Sequence, residues 1–423
     1  EVAVDPEMLG KVFENLIEEN ERKGKGAYYT PRTIVHYMCQ ESLINYLDTE
    51  INKSLTSFQE IDEEQLDVMG NKPTKDQLRI QQEHRDNAIV PKQDIETLIR
   101  ESDVILELET AIVKQDEQNK SVLMDSIKKN AQVLDDALVN IKVCDPAIGS
   151  GAFLVGMLTE ILKARKVLQL YLGNKHRVYE FKRHCIQNSL YGVDIDSGAI
   201  EIAKLRLWLS LVVDEEDYTT IQTLPNLDYK IMQGNSLIEE FHGISLDIKK
   251  KQDEQFDAFS GGEELDFLID DLHQKQDIFF NAEHPRDKKK KRDAVENAIY
   301  NIFNNELEKK ENISPQEFKP IKADLKEWIH GNKVRNFFPW KLYFADVFRE
   351  KGGFDVVIAN PPYIQLQKSL DDGTDNKYAD LYKNCGYETF KRTGDIYALF
   401  YELGINVLKE GGHLTYITSN KWM

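Results

Sequence analysis

The residues with the plainest chemical capacity lie late in the chain, at Asn360-Pro361-Pro362-Tyr363. Two successive prolines fix φ and remove two N–H donors, which makes a stiff loop whose carbonyls are free to accept. The Asn360 amide oxygen and the Pro361 carbonyl can then both face an incoming planar –NH2 group. Accepting both of its protons draws the nitrogen toward tetrahedral geometry. Its lone pair leaves conjugation and becomes nucleophilic. Positioning and preorganised dipoles carry such a step without a strong base. Tyr363 would stack on the planar group that bears the amine. The plainer alternative is an Asn-Pro turn that closes an edge strand.

Three earlier segments could hold the other reactant. Asp145-Pro146-Ala147-Ile148-Gly149-Ser150-Gly151 follows the apolar run Ile141 to Cys144 and precedes a helical stripe of Phe153, Leu154, Met157, Leu158, Ile161 and Leu162. A strand, a tight turn and a helix N-terminus aim backbone N–H groups at a ligand, and Gly149 and Gly151 let the backbone come close. The segment is neither GxGxxG nor a P-loop. An acid at the strand end suits a cationic or amine-bearing ligand, and S-adenosylmethionine carries both a sulfonium and an ammonium. Asp194, in Asp194-Ile195-Asp196, could accept from both hydroxyls of a ribose, with Asp196 or Ser197 capping the next helix. Asn235 could bond an adenine edge, although Gly234-Asn235-Ser236 is also common turn chemistry.

These segments need elements to hold them. Short apolar runs at 141–144, 189–193, 229–232, 354–359 and 413–418 read as strands. Helical periodicity separates the first three, which predicts a parallel, doubly wound α/β sheet. Ligands in such sheets sit at the C-terminal strand ends, where the Gly/Asp/Asn clusters fall. A helix over 394–408 is expected to stop at Lys409-Glu410-Gly411-Gly412. Upstream, residues 5–22 read as an amphipathic helix. A second helix, with Thr30 as N-cap and Pro31 as its first residue, runs to about Leu47. The expected organisation is an N-terminal helical segment (1–47), a helical insertion (48–139), a cofactor-binding half (140–237), a second mostly helical insertion (238–345) and a catalytic half (346–423). The expected sheet is C-terminally incomplete, as in a piece of a longer protein. The patch Phe337-Phe338-Pro339-Trp340 reads as core. The basic run Lys288 to Arg292 reads as a solvated loop that could also touch phosphate.

Of the 423 residues, 41% are hydrophobic, enough for a substantial core, and 30% are charged, with a formal net charge of -19. That balance counts against a wholly basic nucleic-acid binder, but it says little about the field inside a cleft. The four cysteines (Cys39, Cys144, Cys185 and Cys385) form no CxxC pair, and no His cluster has ligand spacing. Neither disulfides nor a bound metal are expected, and a reducing, bacterial-type cytoplasm fits. No apolar run reaches the length of a membrane span.

Taken together, the segments resemble γ-class N6-adenine-specific DNA methyltransferases, in particular the methyltransferase portion of type IIG restriction-modification enzymes. The resemblance rests on Gly26-Ala27-Tyr28-Tyr29-Thr30-Pro31, on Asp145 to Phe153, on Asp194-Ile195-Asp196 and on Asn360 to Tyr363, in that order along the chain. Asp395 to Phe400 and Gly411-Gly412-His413-Leu414 match the helix and strand that follow. The resemblance implies a Rossmann-like methyltransferase fold with S-adenosyl-L-methionine as cofactor. Tyr28, Tyr29 and Thr30 would meet its methionine end. Asp145, Pro146, Ala147, Gly149, Gly151 and Phe153 would line its amino-acid moiety. Asp194 and Ile195 would serve the ribose, and Asn235 and Ser236 the adenine. Asn360, Pro361, Pro362 and Tyr363 would hold a base flipped from double-stranded DNA. At position 235 many relatives carry Asp, so Asn235 departs from the pattern, though an amide oxygen can also accept. The resemblance further implies a C-terminal target-recognition domain or a separate specificity subunit. Two alternatives stay open: a protein-glutamine or RNA methyltransferase, whose amide or amine would suit the same loop, and a non-catalytic DNA-binding modification subunit, which would not bind the cofactor.

Overall fold

The computed structural model describes residues 30–57, 89–114, 121–173, 177–213, 225–241, 262–282, 284–308, 315–330, 336–370 and 376–419. Tyr28, Tyr29 and the helix expected over 5–22 lie outside them. In chain order the helices are α1 (Arg32–Ser57), α2 (Lys92–Arg100), α3 (Ser102–Lys114), α4 (Asp125–Lys129), α5 (Ala131–Asn140), α6 (Ala152–Leu172), α7 (Val178–Asn188) and α8 (Ser197–Val212). They continue as α9 (Gly262–Phe280), α10 (Pro285–Glu308), α11 (Pro315–His330), α12 (Trp340–Tyr343), α13 (Ala345–Lys351), α14 (Tyr378–Tyr382) and α15 (Ile396–Val407). The strands are β1 (Val143–Asp145), β2 (Leu190–Asp194), β3 (Ile231–Gln233), β4 (Phe354–Ala359) and β5 (Leu408–Tyr416). Contacts group the chain into two compact units, one drawn from 1–35, 142–155 and 186–423, the other from 36–141 and 156–185.

The first unit carries the sheet. Its described strands are ordered β3-β2-β1-β4-β5, and every pairing is parallel. This is the doubly wound α/β sheet of a Rossmann-like methyltransferase fold. Every residue of β4 is buried, as in a central strand covered on both faces, and its sequence is accordingly an unbroken apolar run apart from Asp355. The fully buried Asp355 carboxylate accepts from the Lys142 N–H at 2.7 Å and from Lys351 Nζ at 2.6 Å, and Lys409 Nζ lies 2.5 Å from its other oxygen. One carboxylate thus ties the strand before the first loop, helix α13 and β5 to the foot of β4.

Helices α9, α10 and α11 occupy the second expected insertion. Their apolar faces join the main core through Leu272, Phe279, Ile302, Phe303 and Trp328. Trp328 lies 4.3 Å from Phe337 between ring centroids, and Phe241 lies 4.9 Å from Phe337. The patch Phe337 to Trp340 is core, as expected. The basic run Lys288 to Arg292 sits on α10 rather than in a loop. Arg292 pairs with Asp228 and lies 5.6 Å from the Phe279 ring, whereas Lys289 and Lys290 are exposed.

One expectation fails at the end of the sheet. Lys409 to Gly412 does not stop a helix. Helix α15 ends at Val407, and Leu408 already pairs with Phe354. The pairing then jumps from Phe354↔Leu408 to Val356↔His413, so the Gly pair forms a bulge within β5. Gly411 has φ 76°, and a Cβ on Gly412 would stand 2.9 Å from the Phe354 carbonyl oxygen. The glycines are there for a close strand approach and a left-handed residue.

The second unit is helical. It buries Leu43, Leu47, Leu98, Leu134, Leu158 and Ile161. Asp135 and Arg165 form a buried pair at 2.7 Å, with the guanidinium 4.1 Å from the Phe181 ring centroid. Among the described residues, no helix is long and apolar enough to cross a membrane and no cluster has the make-up of a metal site.

Candidate functional site

Parallel pairing puts every strand's C-terminal end on one edge of the sheet. Asp145 ends β1, Asp194 ends β2, Gln233 ends β3 and Asn360 follows β4. The chain winds from β1 outward to β3, then returns to place β4 on the other side of β1. The gap between β1 and β4 is therefore the topological switch point, where such sheets open a crevice. Asp145 and Asn360 flank it. Cys144 is level with Val357, so Asp145 is level with Ile358 and Asn360 lies two residues further along, roughly 7 Å at the rise of a strand.

The first loop is built for close approach. Gly149 and Gly151 have φ 50° and 81°. Nothing lies within 4 Å of a Cβ placed on Gly149, whereas one on Gly151 would stand 3.0 Å from the Ala203 Cβ. Gly149 thus opens toward space, and Gly151 lets α8 pack beneath the turn. Ala147 is half-buried, and Phe153 is buried at the start of α6. Two features of this loop escaped the sequence reading. Arg206, buried on α8, donates to the Ser150 carbonyl at 2.8 Å and to its Oγ at 3.1 Å. The Ser236 hydroxyl donates to the Pro146 carbonyl at 2.6 Å, while Trp340 Nε1 donates to the Ser236 carbonyl at 2.9 Å. The third tip and the aromatic core thereby hold the first loop in place. An arginine on an otherwise apolar helix face was the available signal for the first of these.

Asp145 is 1% exposed. Its Oδ1 accepts from the Ala147 N–H at 3.0 Å, and its Oδ2 is buried with no hydrogen-bond partner. Burial holds this carboxyl well above the usual carboxylate range, opposed by the one Ala147 N–H and reinforced by Asp194. An orphaned buried oxygen of this kind is costly unless something arrives to use it. At the second tip, Asp194 accepts from Gly149 N–H at 2.8 Å and Asp196 N–H at 2.9 Å. Burial raises its pKa, and these N–H groups oppose the shift. Asp196 caps α8, accepting from Gly198 and Ala199, which is one of the two caps expected there. Ile195, between the two acids, is 59% exposed, an apolar face left open at the sheet edge. At the third tip, Asn235 is buried. Its Oδ1 accepts from the Leu237 N–H at 3.1 Å and its Nδ2 donates to the Tyr382 hydroxyl at 3.3 Å.

At the fourth tip, the Asn360 amide is held from both ends. Its Nδ2 donates to Thr30 Oγ1 at 3.2 Å, and its Oδ1 lies 3.0 Å from the Tyr363 hydroxyl. That hydroxyl also lies 3.0 Å from the Ile417 carbonyl just beyond β5. Pro361 is buried, and Pro362 and Tyr363 are half-buried. Burial raises the Tyr363 pKa, with Tyr401, Asp395 and Tyr397 adding to it, so the phenol stays protonated and able to donate. Asp395 fixes the far side of the loop by accepting from the Ile364 N–H at 3.1 Å while it caps α15. Thr30 differs from its expected role as helix cap. The first carbonyl to accept within α1 is that of Pro31, from Val35 at 3.0 Å. The cap thus lies one residue later, and the Thr30 side chain turns to Asn360.

Comparison with known proteins gives the chain's family. The model of the Eco57I restriction-modification methylase family matches residues 188–423. A putative type II restriction enzyme and methyltransferase of Methanocaldococcus jannaschii is 26% identical over 472 residues, covering 99% of this chain and 34% of its own length. The adenine-specific methyltransferase PglX of Lacticaseibacillus casei is 21% identical over 304 residues, 71% of this chain and 21% of that protein. The type II restriction enzyme and methyltransferase RM.Eco57I of Escherichia coli is 24% identical over 327 residues, 74% and 23% respectively. The chain therefore spans about a fifth to a third of the length of these relatives. The match to the family's model takes in strands β2 to β5, the Asn360 loop and more than half of the sequence, and on that ground the chain belongs to the Eco57I restriction-modification methylase family.

Proposed function

We propose that this chain transfers a methyl group from S-adenosylmethionine to the N6 amine of an adenine flipped out of double-stranded DNA, as the modification part of a restriction-modification protein. The observation that carries the reading is the pairing at the switch point: an amide-bearing proline loop on β4 beside an orphaned buried carboxylate on β1. The printed descriptions of the relatives, restriction enzymes with methyltransferases and one adenine-specific methyltransferase, support DNA and adenine.

The residues suit the cofactor. The free Asp145 Oδ2 is an acceptor for an ammonium in a dry site, where a charge-assisted bond is strong. Asp194, already fixed by two N–H groups, presents its remaining lone pairs toward a ribose, and the exposed Ile195 offers an apolar platform to an adenine ring. Pro146, Ala147, Gly149, Gly151 and Phe153 shape the amino-acid end, Tyr28 and Tyr29 complete it, and Asn235 with Ser236 bounds the adenine. S-adenosylmethionine supplies an electrophilic methyl group. The protein's own work is on the base. Asn360 Oδ1 and the Pro361 carbonyl accept the two amine protons and turn the nitrogen lone pair out of conjugation. Pro362 keeps the loop rigid, and the Tyr363 ring would stack on the base. The base must leave the duplex stack to reach this loop. Reading of the DNA sequence falls to segments outside this chain, either a C-terminal recognition part or a separate specificity subunit. Action on cellular DNA and buried thiols at Cys39, Cys144 and Cys185 suit a bacterial-type cytoplasm.

The test is transfer of labelled methyl groups from S-adenosylmethionine to duplex DNA, RNA and protein by the full-length protein, with Asn360→Ala as control. Label in N6-methyladenine that disappears in the control is the expected result. Label in RNA or in protein glutamine would refute the assignment of substrate.

A further inference from the structure

The amide of Asn360 can do its work only in one orientation. Its oxygen must face the incoming amine, because the –NH2 end would repel the amine's protons. A terminal amide has two nearly isosteric orientations, and the choice is made by hydrogen-bond partners. Here the partners come from parts of the chain far apart in sequence. Thr30 Oγ1, 6% exposed just before α1, receives the Nδ2 donor at 3.2 Å. Tyr363 stands at the other end, 3.0 Å from Oδ1 and 3.0 Å from the Ile417 carbonyl. The tyrosine has one proton for two acceptors. When that proton rests on Ile417, Oδ1 is released to a substrate amine, and Thr30 is then what still distinguishes the two ends of the amide.

We propose that Thr30 is a positioning residue for methyl transfer, which by accepting from Asn360 Nδ2 holds the amide oxygen toward the substrate amine. This rests on the reading of Asn360 as the amine-binding residue, and it differs from a role for Thr30 at the cofactor. Thr30→Val keeps the shape and β-branching of the side chain but removes the acceptor. Thr30→Ser keeps the acceptor. One neutral hydrogen bond biases the ratio of the two orientations roughly five- to tenfold, so losing it lets the productive fraction fall from about nine-tenths toward about one half.

The experiment measures kcat for methyl transfer to a DNA that the full-length wild-type protein labels, together with direct binding of S-adenosylmethionine. The expected result is a kcat for Thr30→Val lowered about twofold, cofactor affinity unchanged, and recovery toward wild type in Thr30→Ser. An unchanged kcat in Thr30→Val overturns the proposal. So does a loss confined to cofactor affinity, which would place Thr30 at the cofactor, and so does an equal loss of kcat in both variants. If Thr30→Val does not fold, Thr30→Ala against Thr30→Ser carries the same comparison. Activity retained in Asn360→Ala would instead remove the underlying reading of Asn360, so the two failures are distinguishable.

Discussion

Asp145→Asn separates binding from folding more cleanly than other changes at this site. The substitution preserves shape, and its carbonyl oxygen can keep the Ala147 N–H bond that Asp145 Oδ1 makes at 3.0 Å. What it removes is the charge on the orphaned Oδ2. If that oxygen takes a ligand ammonium, a charged hydrogen bond of about 1.5–3 kcal/mol is lost, which corresponds to roughly 10- to 150-fold weaker S-adenosylmethionine binding. 5′-Methylthioadenosine, which lacks the amino-acid end, should bind both proteins alike. Isothermal titration of the two ligands against both proteins reads this directly. The pH dependence has a definite sign. Burial raises the Asp145 pKa and so favours the protonated form of the ligand-free protein, whereas a cationic ligand favours the deprotonated form. Wild-type affinity should fall as pH drops through the raised pKa, with a proton released on binding, and the variant should show neither effect. Stability runs the other way. A carboxyl whose folded pKa is raised contributes stability at low pH that is lost as pH rises through that pKa. The ligand-free variant should therefore match or exceed the wild type in thermal midpoint at neutral pH. Equal weakening of both ligands, or no weakening of either, would refute the assignment of Asp145 to an ammonium.

The other predictions concern the frame around the site. Arg206→Met should leave the Ser150 carbonyl and hydroxyl without their donor, costing about 1–3 kcal/mol, read as a lower denaturation midpoint together with weaker cofactor binding. Gly151→Ala places a Cβ at a φ of 81° and 3.0 Å from Ala203 Cβ. The left-handed conformation alone costs roughly 1–2 kcal/mol, so a stability as good as wild type in urea titration would contradict the loop geometry. Asp355→Ala leaves Lys351 and Lys409 facing a buried void, and a loss of about 3–5 kcal/mol is expected for breaking a buried ion cluster from one side. Burial pushes Asp346 up, but Lys230, His273, Lys142 and the Tyr191 hydroxyl more than offset it and hold the carboxyl well below its ordinary range. Its stabilising contribution is present above the unfolded pKa and disappears only in strong acid, so Asp346→Asn should flatten the acid side of the stability–pH curve.

The sequence by itself determined most of the sheet and marked the loop that the proposed function uses. Asn360 to Tyr363 could be read as an amine-binding loop because two prolines constrain a backbone wherever they stand. Four of the five strands were found near their places, as short apolar runs ending in Gly, Asp or Asn, since a strand buried on both faces leaves that mark locally. The helices between 262 and 330 and the buried patch at Phe337 to Trp340 likewise left local apolar marks. Tertiary structure decided what depends on partners distant in sequence. Leu408 joins β5 because Phe354 lies beside it, and the Gly411-Gly412 pair therefore bulges a strand instead of ending a helix. Arg206, Ser236 and Trp340 are ordinary residues in sequence and become loop anchors only through contacts 56, 90 and 104 residues away. Thr30 looked like a helix cap because capping is a local pattern. Its bond to Asn360 spans 330 residues, and no local pattern encodes which end of a distant amide a hydroxyl will hold.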